Sequence, residues 1–141
     1  MPVPIVLLPL FVEVLLTFAV MLGMMYHRTS ALRRGDARFE RIALREPNWP
    51  QRSMQFANAF ANQFELPVLF YVLTILSIMT HHADMIYWVL AWVFVLCRVL
   101  QAGVHVTSND VRLRGAFYGV GAIVLLVMWL IFIVRILLGL P

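Results

Sequence analysis

The sequence predicts an all-α integral membrane protein, a bundle of four transmembrane helices. Composition is the first reason: of 141 residues 62% are hydrophobic, only 13% are charged, and the mean hydropathy is +0.87. A soluble domain of this length is not so apolar. The second reason is the presence of four long apolar segments, spanning roughly 4–26, 53–80, 85–107 and 115–138. Each meets the requirement of about 20 residues to cross about 30 Å of hydrocarbon, where a backbone satisfies its own polar groups as helix. The third is the placement of charge. All eleven basic residues are Arg, and seven of them lie between Arg28 and Arg52. A net charge of +4 and a pI near 10.0 are thereby accounted for by a loop on the positive side of a membrane rather than by nucleic-acid binding. One domain is expected over 1–141.

The first segment carries no basic leader and no small-residue cleavage site, so it reads as a retained span. It is interrupted by Glu13. The loop 27–52 holds the arginines, three acids (Asp36, Glu40, Glu46) and the turn-forming Pro47-Asn48-Trp49-Pro50. Within it Leu32, Phe39, Ile42 and Ala43 sit near helical spacing, which predicts a short amphipathic surface helix over Ser30–Glu46, with Trp49 at headgroup level.

The second segment, read as one helix, contains Asn58, Asn62 and Glu65. A tight hairpin at His81-His82-Ala83-Asp84 follows. Its two histidines and acid allow a metal site or a solvated turn, and the lack of a third distant ligand favours the turn. The third segment contains Arg98, Gln101, His105 and the single Cys97, which fits as a small packed hydrophobe. The connection to the fourth segment is basic through Arg112 and Arg114, and Arg135 near the far end can snorkel to the interface. The arginine bias puts the first and third loops in the cytoplasm and turns the hairpin and both termini outward.

Charges within spans are costly and mark interior or wet positions. At about 1.5 Å per residue, Asn58, Asn62 and Glu65 come roughly 8, 14 and 18 Å from the cytoplasmic end of the second span. On the same rise, His105, Gln101 and Arg98 come roughly 3, 9 and 14 Å from that end of the third. Both trios keep helical spacing on one face. The matched stripes predict a polar cleft open to the cytoplasmic leaflet. Glu65 and Arg98 also allow a plain structural ion pair, Asn58 and Asn62 allow interhelical hydrogen bonds alone, and His105 allows either a ligand contact or a capped interfacial role. Glu13 requires a partner, Arg98 or a neighbouring subunit.

The stretch Asn62-Gln63-Phe64-Glu65-Leu66-Pro67-Val68-Leu69-Phe70, together with the topology and the basic first loop, resembles the MAPEG superfamily, the membrane-associated proteins of eicosanoid and glutathione metabolism. The run from Arg98 through His105 and Asn109 to Arg112 and Arg114 resembles the polar end of that family's third helix, and its His105–Asn109 portion looks closer to bacterial members. The resemblance implies a homotrimer in the bacterial inner membrane, with glutathione bound between subunits and lipophilic small molecules as co-substrates. It implies a thiolate-stabilising role for Arg114, with Arg112 the close alternative. Asn62 and Glu65 match the family's ligand contacts on helix two, and Arg98 and His105 fall among further pocket residues. The sequence departs from the family pattern at Asn58, where glutathione-using members carry an Arg, and in placing Pro67 two residues after Glu65 rather than three.

Two functions follow as expectations. One is a glutathione- or thiol-dependent transferase or peroxidase acting on lipophilic electrophiles. The other is a non-catalytic membrane module that binds lipid or quinone, or serves as an accessory subunit of a larger membrane complex. A small transporter fits less well, because the sequence shows neither inverted repeats nor broken helices.

Overall fold

The computed structural model describes residues 1–44 and 48–141. Among these the chain forms α1 (Val3–Arg34), α2 (Phe39–Ile42), α3 (Gln51–Asn62), α4 (Leu66–Met79), α5 (Met85–Val106) and α6 (Val111–Leu138), with no strand. Four passages are long and apolar enough to cross a membrane: α1, α3 and α4 taken together, α5, and α6. Large apolar side chains such as Leu15, Ile75, Leu96 and Ile123 point outward, as a bilayer requires and water would not favour.

Two expectations are corrected. The first helix does not stop near residue 26; it continues to Arg34 and closes on Gly35, whose φ of 77° is left-handed. The amide of Asp36 returns to the Ala31 carbonyl at 2.9 Å. A glycine just past the last turn adopts that conformation without a Cβ penalty. The surface helix expected over Ser30–Glu46 is therefore divided: Ser30–Arg34 belong to α1, and Phe39–Ile42 form a single separate turn. Residues 45–47, Glu46 among them, lie outside the described residues. Trp49 is anchored by the Arg28 guanidinium 5.0 Å from its ring centre, a cation–π contact.

The second passage is not one helix. It tightens into three-residue turns at Gln63, Phe64 and Glu65, whose amides reach back to Phe60, Ala61 and Asn62 at 3.0, 3.1 and 3.3 Å. The helix restarts at Leu66, with Pro67 in its first turn. Pro67 has no N–H and its ring crowds the carbonyl four residues back, which favours the break observed here. This chain thus has the broken helix that its sequence was read as lacking.

The two ends of the bundle are packed differently. Toward the 81–84 hairpin, α1, α4, α5 and α6 close on Val6, Phe70, Leu73, Phe94, Leu125 and Met128. Here Thr74 and Tyr87 share a buried hydroxyl pair. Toward the arginine-rich end the apolar core shrinks to Val20, Ala59 and Ala102. Small residues let α1, α3 and α5 approach closely there. At Gly23, a Cβ would stand 2.3 Å from the Phe56 ring.

The hairpin itself is tied down. Asp84 caps α5 by accepting from the Tyr87 amide at 3.0 Å and pairs with Arg135 at 2.8 Å. Partial burial pushes the Asp84 carboxyl up, but the Tyr87 amide and the Arg135 guanidinium outweigh it and hold it below its ordinary value. His82 receives or donates at both ring nitrogens, 3.0 Å from Thr80 Oγ1 and 2.9 Å from the Leu140 carbonyl. The histidine thus links the turn to the C-terminal end.

Candidate functional site

The helix break sits on the flank of a polar groove of about 430 Å³ between α3, α5 and α6. From α3 and the break come Asn58, Asn62 and Glu65; from α5, Gln101 and His105; from α6, Arg114 and Tyr118. The two facing stripes expected from the sequence are therefore brought together except for Arg98, even though the helix meant to carry Glu65 in register stops at Asn62. The three-residue turns return Glu65 to the same side as Asn58 and Asn62.

His105 is buried and stands with its Nδ1 3.5 Å from the Asn62 amide nitrogen. The Tyr118 hydroxyl donates to Glu65 Oε2 at 3.3 Å. Arg114 is aimed across the groove by Asn109, whose Oδ1 accepts from its Nη1 at 2.9 Å. Asn109 holds φ at 52°, a left-handed conformation that asparagine tolerates better than most residues. Asp110 follows as the cap of α6 and accepts from the amides of Arg112 and Leu113 at 3.0 and 3.3 Å. The Asn109-Asp110 pair thereby fixes both the start of α6 and the direction of Arg114.

Arg98 lies behind the groove wall, only 1% exposed. Its Nη2 donates to the Asn62 carbonyl at 3.0 Å, which also accepts from the Glu65 amide at 3.3 Å in the turn at the helix break. The guanidinium carbon is 5.8 Å from the Tyr118 ring centre. Its ion pair is with Glu13 on α1, Nε to Oε1 at 3.9 Å, and Glu13 is fully buried. The structural pair considered for Glu65 with Arg98 is thus replaced: Arg98 turns to Glu13, and Glu65 turns to Tyr118. A buried guanidinium takes the acid that is itself desolvated, because the attraction between charges is strongest where water is excluded.

Arg112 does not line the groove and is exposed at the start of α6. Tyr118 was missed by sequence reasoning, although its position one turn beyond Arg114 on the same helix was a usable signal. A second, apolar groove of about 430 Å³ continues along the seam between α4 and α6, lined by Leu66, Leu69, Ala122, Leu125, Leu126 and Trp129. Leu66 directly follows Glu65, and Ala122 is one turn beyond Tyr118, so the two grooves adjoin.

The fold and the groove define a polytopic membrane protein with a polar site between its passages, placed beside a helix break. The chain belongs to the MAPEG family, whose family model matches residues 6–134. That span covers every residue of the groove. No curated protein and no solved structure matches the chain.

Proposed function

We propose that this MAPEG family member is a thiol-dependent transferase or peroxidase acting on lipophilic electrophiles, with glutathione as its thiol co-substrate. One observation carries the reading: a polar groove holding Arg114, Asn62, Glu65 and Tyr118 adjoins an apolar groove on the same α4–α6 seam. A water-soluble peptide and a membrane-soluble partner would meet at that junction.

The residues fit such a peptide in part. Glu65 offers an acceptor for an amine, Asn58 and Asn62 offer amides for peptide groups, and Arg114 offers a guanidinium. The thiolate is the nucleophile in conjugation, and a cation beside it favours the anion. Arg114 is the groove's cation for that task, with His105 and Tyr118 as additional donors. The sulfur forms the new bond to the electrophilic carbon, the leaving group departs with the electron pair, and the thiol proton passes to water. The peptide's two carboxylates need further cations, which the described lining of a single groove does not offer; Arg112, exposed at the start of α6, is suited to serve the groove of a neighbouring copy.

Asn58 and Glu65 are exposed on the flank of a membrane passage. Leaving such groups against lipid is costly, which supports an assembly whose copies cover each other's grooves; the family resemblance makes it a homotrimer. The arginine-rich loop supports an inner-membrane setting with that loop in the cytoplasm.

The test is calorimetry of glutathione on the detergent-purified protein, together with conjugation of a chromogenic electrophile. Saturable binding is expected, and Arg114→Ala is expected to lower turnover by about 10²-fold, the size of one preorganised donor to a developing anion. Turnover unchanged in Arg114→Ala would remove the proposed role. Asn58, in the place of an Arg found in glutathione-using relatives, favours a second reading: a non-catalytic module binding lipid or quinone, or an accessory subunit. Absence of binding at millimolar glutathione, with a lipid or a protein partner co-purifying, would support it.

A further inference from the structure

We propose that Glu13, which the groove does not contain, is a positioning residue: by holding Arg98 on the far side of the wall, it keeps Glu65 free to face the groove. Arg98 is the centre of the arrangement. On one side it touches Glu13 Oε1 at 3.9 Å. On the other it donates to the Asn62 carbonyl at 3.0 Å and faces the Tyr118 ring at 5.8 Å. Tyr118 in turn donates to Glu65 at 3.3 Å. Glu13, Arg98, Tyr118 and Glu65 therefore form one line of charge and aromatic contact running from α1 through α5 and α6 to the helix break.

Two carboxylates compete for one guanidinium at this depth. Glu13 holds it while fully buried, and it does so by proximity of charge, since neither of its oxygens accepts a hydrogen bond among the described residues. Arg98 likewise leaves Nε and Nη1 without a hydrogen-bond partner. A guanidinium at membrane depth is costly to leave without a counter-charge. If Glu13 loses its charge, the nearest acid on the groove side is Glu65, three residues from the carbonyl that Arg98 already holds. Arg98 then moves past the Tyr118 ring, pairs with Glu65, and takes away from a ligand the one carboxylate among the groove's described lining residues.

The first arm of the test needs no ligand. A hydrophobic carbodiimide attacks membrane-depth carboxyl groups that are protonated, and a carboxylate paired with a guanidinium is protected. Glu65 labelling, read by mass spectrometry, is expected to fall on the order of tenfold in Glu13→Gln, the size of one charge-assisted contact. It is expected to return in Glu13→Gln/Arg98→Gln. Glu13→Asp, which keeps the charge and is the milder change, gives an intermediate rate and serves if Glu13→Gln does not fold. Labelling of Glu65 unchanged or faster in both single variants overturns the proposal.

The second arm rests on the thiol-transferase reading. Glu13→Gln is expected to weaken glutathione but not its desamino analogue, because the amine is what Glu65 would hold. A purely structural defect would weaken both alike, and that result counts against positioning. Wild-type protein that binds no glutathione, yet shows the labelling pattern, defeats the functional reading and leaves the role of Glu13 intact.

Discussion

The hairpin half and the arginine-rich half of this bundle solve the same problem by opposite means. Toward the hairpin, aromatic and branched side chains fill the space between helices, and the buried Thr74 and Tyr87 hydroxyls satisfy each other. Toward the arginine-rich end, the apolar core is three small residues, and Glu13, Gln63, Arg98, Gln101 and His105 are buried among them. Several of these keep atoms without hydrogen-bond partners among the described residues, including Gln63 Oε1 and Gln101 Oε1. In lipid, helix association comes from packing and interhelical polar contacts more than from hydrophobic transfer. The first half uses packing; the second uses charge and hydrogen bonds, and is therefore the half that can open a polar groove.

The largest difference between the halves should appear when a buried charge is stranded. Arg98→Leu leaves Glu13 buried with no cation beside it and removes one of the two donors to the Asn62 carbonyl, and should cost about 3–5 kcal/mol. Replacing both members, Glu13→Leu with Arg98→Leu, should cost much less, since a desolvated pair is close to neutral against apolar residues of similar volume. Thermal unfolding of the four proteins of this cycle in detergent measures the coupling. Additive losses would show that Glu13 and Arg98 do not act as a pair.

A smaller loss is expected in the packed half. Phe94 is fully buried and its ring lies 4.9 Å from that of Phe70. Phe94→Ala should cost about 2 kcal/mol, chiefly the cavity term, because lipid replaces water as the competing environment. It should leave groove chemistry untouched. A change in Glu65 carbodiimide labelling in this variant would show that the halves are coupled, and that the contrast drawn between them is too sharp.

The sequence made the passages legible because their apolar runs are long, and it pointed to the groove because Asn58, Asn62 and Glu65 on one passage, and Arg98, Gln101 and His105 on another, keep helical spacing in otherwise apolar surroundings. Arg98 was expected among the pocket residues, with a structural ion pair as the alternative; it lies behind the groove wall, and its partner was not fixed in the sequence: Glu13 and Glu65 both lie within reach at the right depth, and only packing chooses. The helix break at residues 63–65 was the main loss. Pro67 is its sequence signal, but proline in a membrane helix is compatible with a kink, a break or a continued helix whose neighbours satisfy the freed carbonyl. Arg112 illustrates the converse error. Two residues from Arg114, it shares its charge but not its side of α6.

The smallest expected effect concerns the tether that closes the packed half. Asp84 and Arg135 meet at 2.8 Å with side chains 42% and 17% exposed, so solvent screening limits the pair to under about 1 kcal/mol. The Asp84 carboxyl titrates below its ordinary value. Its stabilising contribution is therefore complete above the unfolded-chain pKa of about 3.9 and is lost as the pH falls through the lower folded value. Arg135→Gln should lower the thermal midpoint slightly at pH 7, and the gap to wild type should close as the pH drops below about 4. A gap that persists in acid would assign Arg135 a different role: its aliphatic stem, packed beside Phe132 and Met128 at the same small cavity, would then be what holds α6 against the hairpin.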